Sequence, residues 1–229
     1  MARPLAKSPF VLLALGLWIL ACPASQSDDD EFNLLNQQVQ TLFKQGKYQE
    51  AIPLAEKAVE LAKRVYGPEQ PNTAKSLNNL AELYWRMGEY AKAEPLYQEA
   101  LRICQKVFGS EHPNTAAILN NLALLYKDMG EYVKAEPLYQ EALRIYRKVL
   151  GPEDPHTATG LNNLAGLYEE MGEYAKAEPL YQQALRIRQK VLGSEHPVRS
   201  QPISGNGGHD NCGRGEKVSG RKVNEIGFL

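Results

Sequence analysis

Three histidines, His112, His156 and His196, recur nearly one unit apart beside prolines. Imidazoles in such a series could hold a divalent metal. A zinc ion needs each nitrogen within about 2.0–2.1 Å, whereas stacked helical units stand on the order of 10 Å apart. The histidines therefore read as helix-start residues, and no metal site is expected. The neighbouring acids Glu111, Asp154 and Glu195 read as loop solvation and helix N-terminal charge. Cys22, Cys104 and Cys212 form no CxxC pair and no even-numbered framework. Cys104 stands where sister units carry Tyr146 and Arg188, a tolerated substitution on a helix. No nucleophile with a base and orienter, no glycine-rich phosphate loop and no carboxylate pair outside helical surface patterns is present. Catalytic residues and cofactors are expected to be absent. Asparagine is the recurring polar residue: Asn36, Asn78, Asn120 and Asn162 share one phase, and Asn79, Asn121 and Asn163 follow three of them. Asparagine is a poor helix former, so its use in mid-helix asks for a reason beyond local structure.

The elements that carry these residues follow from an internal repeat. Asn78-Asn79-Leu80-Ala81 returns as Asn120-Asn121-Leu122-Ala123 and as Asn162-Asn163-Leu164-Ala165, 42 residues apart each time. Gly88, Gly130 and Gly172 keep the period, Gly46 extends it backward, and Pro71, Pro113, Pro155 and Pro197 mark the joints. A self-similar period of this size signals a solenoid. Within the second unit, Leu77, Leu80, Ala81, Tyr84 and Met87 follow helical spacing. Proline suits the start of that helix, and Gly88 ends it. A second helix carries Tyr90, Ala93, Leu96, Tyr97, Ala100, Leu101 and Ile103 on its apolar side. The chain is thus an αα-hairpin made four times, over 32–70, 71–112, 113–154 and 155–197. Pro95, Pro137 and Pro179 cost little within the first turn of the second helix, and a slight kink beyond it.

The small residue of the first helix (Ala81, Ala123, Ala165), the aromatic three positions on (Tyr84, Tyr126, Tyr168), Gly88-Glu89-Tyr90, Ala93, Tyr97 and Ala100 resemble the tetratricopeptide repeat signature. The LNNLA and GEY.KAEPLYQ.AL segments, with GSEHP or GPEDP joints, are similar to its kinesin-light-chain subclass. The first unit departs most, with Val39, Leu42 and Ala55 at signature positions, and reads as a terminal, capping-type unit. The resemblance implies an all-α, right-handed α-solenoid and a non-enzymatic role in binding a protein or peptide along the concave face of the first helices. It also implies that the asparagines face that groove and hydrogen-bond a peptide backbone; the competing reading is that they bridge adjacent first helices. Other groove positions are Lys75, Glu82, Trp85 and Arg86, then Leu124, Lys127 and Asp128, then Glu169 and Glu170. Their mixed charge disfavours clamping of a terminal carboxylate. Kinesin-like cargo transport does not follow from the repeat alone.

The remaining segments differ in composition. A net charge of -1 gives no basic stripe for nucleic acid. Arg3 and Lys7 precede the apolar run Phe10 to Ala21, whose 12 residues would reach about 18 Å as a helix, short of a bilayer core of about 30 Å. No membrane span is expected. Residues 1–24 read as a secretory signal peptide, so the chain is expected to be exported, periplasmic or secreted. A lipid anchor at Cys22 is the narrower alternative. Residues 25–31 form an acidic leader, and 198–229 form a glycine-rich tail expected to be disordered. With no fifth unit in register, the outer apolar side of the last helix lacks a cover. That end is expected either to dock on a partner or a second copy, or to mark a truncated array. Two rival functions follow: a regulatory or targeting module of a larger exported enzyme, and a self-associating structural array.

Overall fold

The computed structural model describes residues 26–192. The expected signal peptide, Cys22, Cys212, His196 and the glycine-rich tail lie outside these residues. Eight helices and no strand occur among the described residues, in four hairpins: α1 (Gln26–Lys44) with α2 (Tyr48–Val65), α3 (Pro71–Arg86) with α4 (Tyr90–Phe108), α5 (Pro113–Asp128) with α6 (Tyr132–Val149), and α7 (Pro155–Glu170) with α8 (Tyr174–Leu192). Each helix packs on its neighbours in sequence, and α3 touches α5 as α5 touches α7. The odd-numbered helices therefore line the inner side of an α-solenoid.

The local stops are those the sequence requires. Gly88 takes φ +77°, which lets Glu89 N–H reach back to the Tyr84 carbonyl and closes the end of α3. The same turn ends α5 at Gly130 and α7 at Gly172. Pro71, Pro113 and Pro155 open the odd helices, where a missing N–H leaves no bond unmade. His112 precedes α5 and accepts the Asn114 N–H on Nδ1, and Asp154 precedes α7 and accepts the His156 N–H. Pro95, Pro137 and Pro179 lie beyond the first turn, inside α4, α6 and α8, so each forgoes one bond to the carbonyl four residues back.

Alanine makes close approach between helices. Ala81 and Ala93, with their equivalents Ala123, Ala135 and Ala165, are fully buried where paired helices meet. Tyr97 and Tyr139 fill the wedges between hairpins and are themselves buried.

One expectation gains detail and another needs correction. The acidic leader is helical: α1 starts at Gln26 and takes Asp28 and Asp29 into its first turn, where carboxylates favour the helix dipole. Asp29 accepts the Tyr66 hydroxyl at 2.5 Å, and Asp28 meets Arg64 at 3.5 Å. The joint acids do more than solvate loops. Glu111 accepts from Arg144 at 2.7 Å and Lys148 at 2.6 Å, which hold its carboxyl down at about 2. Glu69 is clasped in the same way by Lys106 and Arg102.

Candidate functional site: the odd-helix face

The asparagines form bridges between neighbouring odd helices. Asn121 Nδ2 donates to Asn78 Oδ1 at 2.9 Å, and Asn163 Nδ2 donates to Asn120 Oδ1 at 3.0 Å. Asn78 is 0% exposed, and Asn79, Asn120, Asn121 and Asn163 are buried with it. As the helices stand, these five lie beneath the groove surface rather than open to it. The cause is the stagger of the stack, which sets each position opposite the next repeat's position 43 residues on. The amide left over at each end behaves differently. Asn36 turns inward on its own helix and donates to the Phe32 carbonyl at 2.8 Å. Asn162 has no fifth repeat beside it among the described residues and remains half-exposed.

The same offset of 43 residues makes a second row with three chemistries. Arg86 lies over the Phe43 ring at 5.6 Å, the Trp85 indole N–H donates to Asp128 at 3.1 Å, and Lys127 donates to Glu170 at 3.0 Å. Trp85 is therefore half-buried and held, and Arg86 stacks on it at 4.3 Å. In the last repeat the equivalent of Trp85 and Lys127 is Glu169, which accepts instead from the Tyr181 hydroxyl of α8 at 2.6 Å. Burial and that carboxylate push Tyr181 up to about 12, so its hydroxyl stays a donor.

Glu82, Leu124 and Gly166 share a third phase, one per repeat. Glu82 is buried above Tyr97 and faces Arg86 at 3.5 Å. Burial raises its carboxyl to about 7 even with Arg86 opposing the shift, so desolvation outweighs the pair. In the last repeat Gly166 removes the side chain altogether. A depression of about 460 Å³ opens there, lined by Leu124, Lys127, Tyr139, Asn162, Asn163, Gly166, Glu169, Glu170 and Tyr181. Of the groove positions read from sequence, Leu124, Lys127, Asn162, Asn163, Glu169 and Glu170 meet in this hollow. Asn36, Glu82, Trp85 and Arg86 lie farther along the array. Tyr139, Gly166 and Tyr181 were not among the positions read from sequence. A glycine where sister units carry Glu82 and Leu124 was the available signal.

The sequence model for the tetratricopeptide repeat matches residues 30–106, 76–148, 115–190 and 156–201 in overlapping segments. The chain belongs to the tetratricopeptide repeat family. Among solved structures it is similar to BtubC (BKLC) from P. vanneervenii, at 25% identity and a TM-score of 0.65, over 83% of this chain and 72% of that one. It is also similar to the putative kinesin light chain with nearly identical TPR-like repeats from Podosopora anserina, at 30% identity and a TM-score of 0.60. That match spans 74% of this chain and 78% of the other. No curated protein matches the sequence significantly. The neighbours are kinesin-light-chain-like repeat proteins, and no catalytic family is matched. This tetratricopeptide array is a scaffold of the kind that binds other proteins. No helix among its described residues is long and apolar enough to cross a membrane.

Proposed function

We propose that the array is a non-enzymatic scaffold that takes an extended peptide segment of a partner protein on its odd-helix face, seated in the hollow over α5 and α7. The observation that carries this reading is the hollow itself. Gly166 provides the space, Leu124 and Tyr139 give apolar contact, and Asn162 offers an amide that no neighbouring asparagine among the described residues occupies. Asn162 is thus the member of the asparagine series suited to a peptide backbone. The buried members space the helices beneath it. Glu169 and Glu170 outnumber Lys127 at the rim, which favours a segment with Lys or Arg beside an apolar anchor.

Selection of peptides from a random display library on the full chain tests this. Enriched sequences with a basic residue next to an apolar one, lost when Gly166→Leu fills the hollow, are the expected result. Peptides that bind Gly166→Leu equally well overturn it. A leucine is the residue the third repeat already carries at this phase, and an added Cβ at Gly166 would stand 3.5 Å from the Tyr181 oxygen, an ordinary contact.

The place of action proposed is outside the cytoplasm, on the strength of the charged start and the apolar run Phe10 to Ala21. Mass spectrometry of the mature N-terminus checks it. A chain starting near Ser25 indicates an ordinary signal peptide, an acylated Cys22 a lipid anchor, and an intact Met1 rejects export.

A further inference from the structure

In the interior of the stack, each even helix offers a face that the next odd helix covers. Glu94 accepts the Tyr126 hydroxyl at 2.7 Å, and Gln98 lies 3.4 Å from the same oxygen. Leu143 and Tyr146 close on Gly160, where an added Cβ would stand 3.4 and 3.5 Å from them. The equivalent residues of α8 are Glu178, Gln182, Leu185 and Arg188. No fifth repeat covers them among the described residues, and Leu185 is 46% exposed.

This stripe is not simply an interior face left bare. Position 188 holds a charge, whereas its interior equivalents Ala62, Cys104 and Tyr146 are all uncharged and buried. Arg188 makes no ion pair among the described residues. Glu178, Tyr181, Leu185 and Arg188 follow one another at helical spacing on one side of α8. From either end the order is charge, apolar, apolar, charge, and the two charges are opposite. A two-fold axis through the middle of that stripe sets Glu178 against Arg188 of a second copy and Tyr181 against Leu185 of that copy. Symmetry makes each pairing twice.

We propose that the chain associates with a second copy through antiparallel packing of the two α8 helices, with Glu178–Arg188 pairs flanking a Tyr181–Leu185 centre. The contact shares Tyr181 with the edge of the odd-helix hollow, whereas Glu178, Leu185 and Arg188 do not line it, so charge reversal at 178 and 188 tests the dimer apart from peptide binding. A helix of 19 residues is about 28 Å long. Two of them bury less than the standard interface of about 1,600 Å². The dimer is therefore a weak one, dissociating in the micromolar range.

Light scattering on the full chain over a micromolar concentration series tests the proposal, with helical circular dichroism recorded for every variant. The mass should rise from monomer to dimer with concentration. Arg188→Glu and Glu178→Arg should each raise the dimer Kd by about tenfold or more, since each sets like charges face to face twice. An equimolar mixture of the two variants should dimerise again, as should the double exchange, because only an antiparallel two-fold pairing makes both contacts complementary. A monomer at every concentration, as when residues 193–229 or nothing covers α8, overturns the proposal. So does a dimer that neither reversal weakens, or one that the mixture fails to restore.

Discussion

At the joint between the second and third repeats, Cys104 of α4 packs in the same cluster as Ile118 of α5. One repeat on, the corresponding pair is Tyr146 and Gly160, with the tyrosine ring taking the space that the isoleucine side chain fills before. Small meets large in one joint, large meets nothing in the next. Cys104 is thus more than a tolerated replacement for tyrosine: it is half of an exchange whose other half lies 14 residues away on the next helix. These two joints differ by a matched pair of replacements, as a close-packed interior that feels each methylene requires.

The strongest way to probe this comparison is to cut the same side chain at a covered joint and at the open end. Leu143→Ala, buried against α7, should lose about 2–5 kcal/mol of unfolding free energy. Leu185→Ala, the same phase on α8, should change the monomer's stability by no more than about 0.5 kcal/mol. Urea melts at low protein concentration measure both, and equal losses would mean that the end is covered after all.

Glu82 supplies the next largest effect, since the third repeat carries Leu124 at its phase and the fourth Gly166. Its carboxyl is raised to about 7 in the folded array from an ordinary 4.5. The folded state holds a proton there that the unfolded chain gives up. The stabilisation is complete below the unfolded value and is lost as pH climbs through the folded one. At about 1.4 kcal/mol per unit, the loss approaches about 3 kcal/mol. Glu82→Gln, which cannot ionise, should therefore melt above the wild type at pH 8 and close to it at pH 5. A constant difference across that range would show that ionisation of Glu82 is not the cause.

Exchanging the joint pair comes third. Gly160→Ile alone should cost about 1–3 kcal/mol by overpacking against Tyr146. Joined to Tyr146→Cys it should recover most of that, giving a coupling energy of about 1 kcal/mol or more in a double-mutant cycle. Additive losses would sever the two positions. Smallest of all, Asn121→Ala removes a bridge between α3 and α5 and should cost about 1 kcal/mol. Asn36→Ala, which breaks only a bond within α1, should cost less, as thermal melts of the two variants will compare.

The period of 42 residues, the helix-ending glycines and the proline starts made the four hairpins legible from sequence, because each is a local rule repeated in phase. The hollow was legible only in part. Lys127, Asn162, Glu169 and Glu170 stand at groove phases that any reader of the repeat would choose. Bridging by the asparagines was one of two readings open from sequence, but the partners were not legible, because they stand 43 residues apart, not 42. That extra residue comes from the stagger of one helix on the next, which no single-chain periodicity records. Glu82 hid for a related reason: its phase faces the groove, and only the packing of Arg86 and Tyr97 around it takes it out of water.

Arrays of copied hairpins face a hazard while they fold, since a unit can dock on the wrong sibling. The row joining Phe43 to Arg86, Trp85 to Asp128 and Lys127 to Glu170 discriminates between siblings. Were the second and third hairpins to trade places, Lys127 would confront Arg86 and Phe43 would face Asp128 in place of a cation, while the indole would meet Glu170. Repulsion of that kind penalises the wrong succession without adding to the right one, so three side-chain pairs on the inner surface number the hairpins in order.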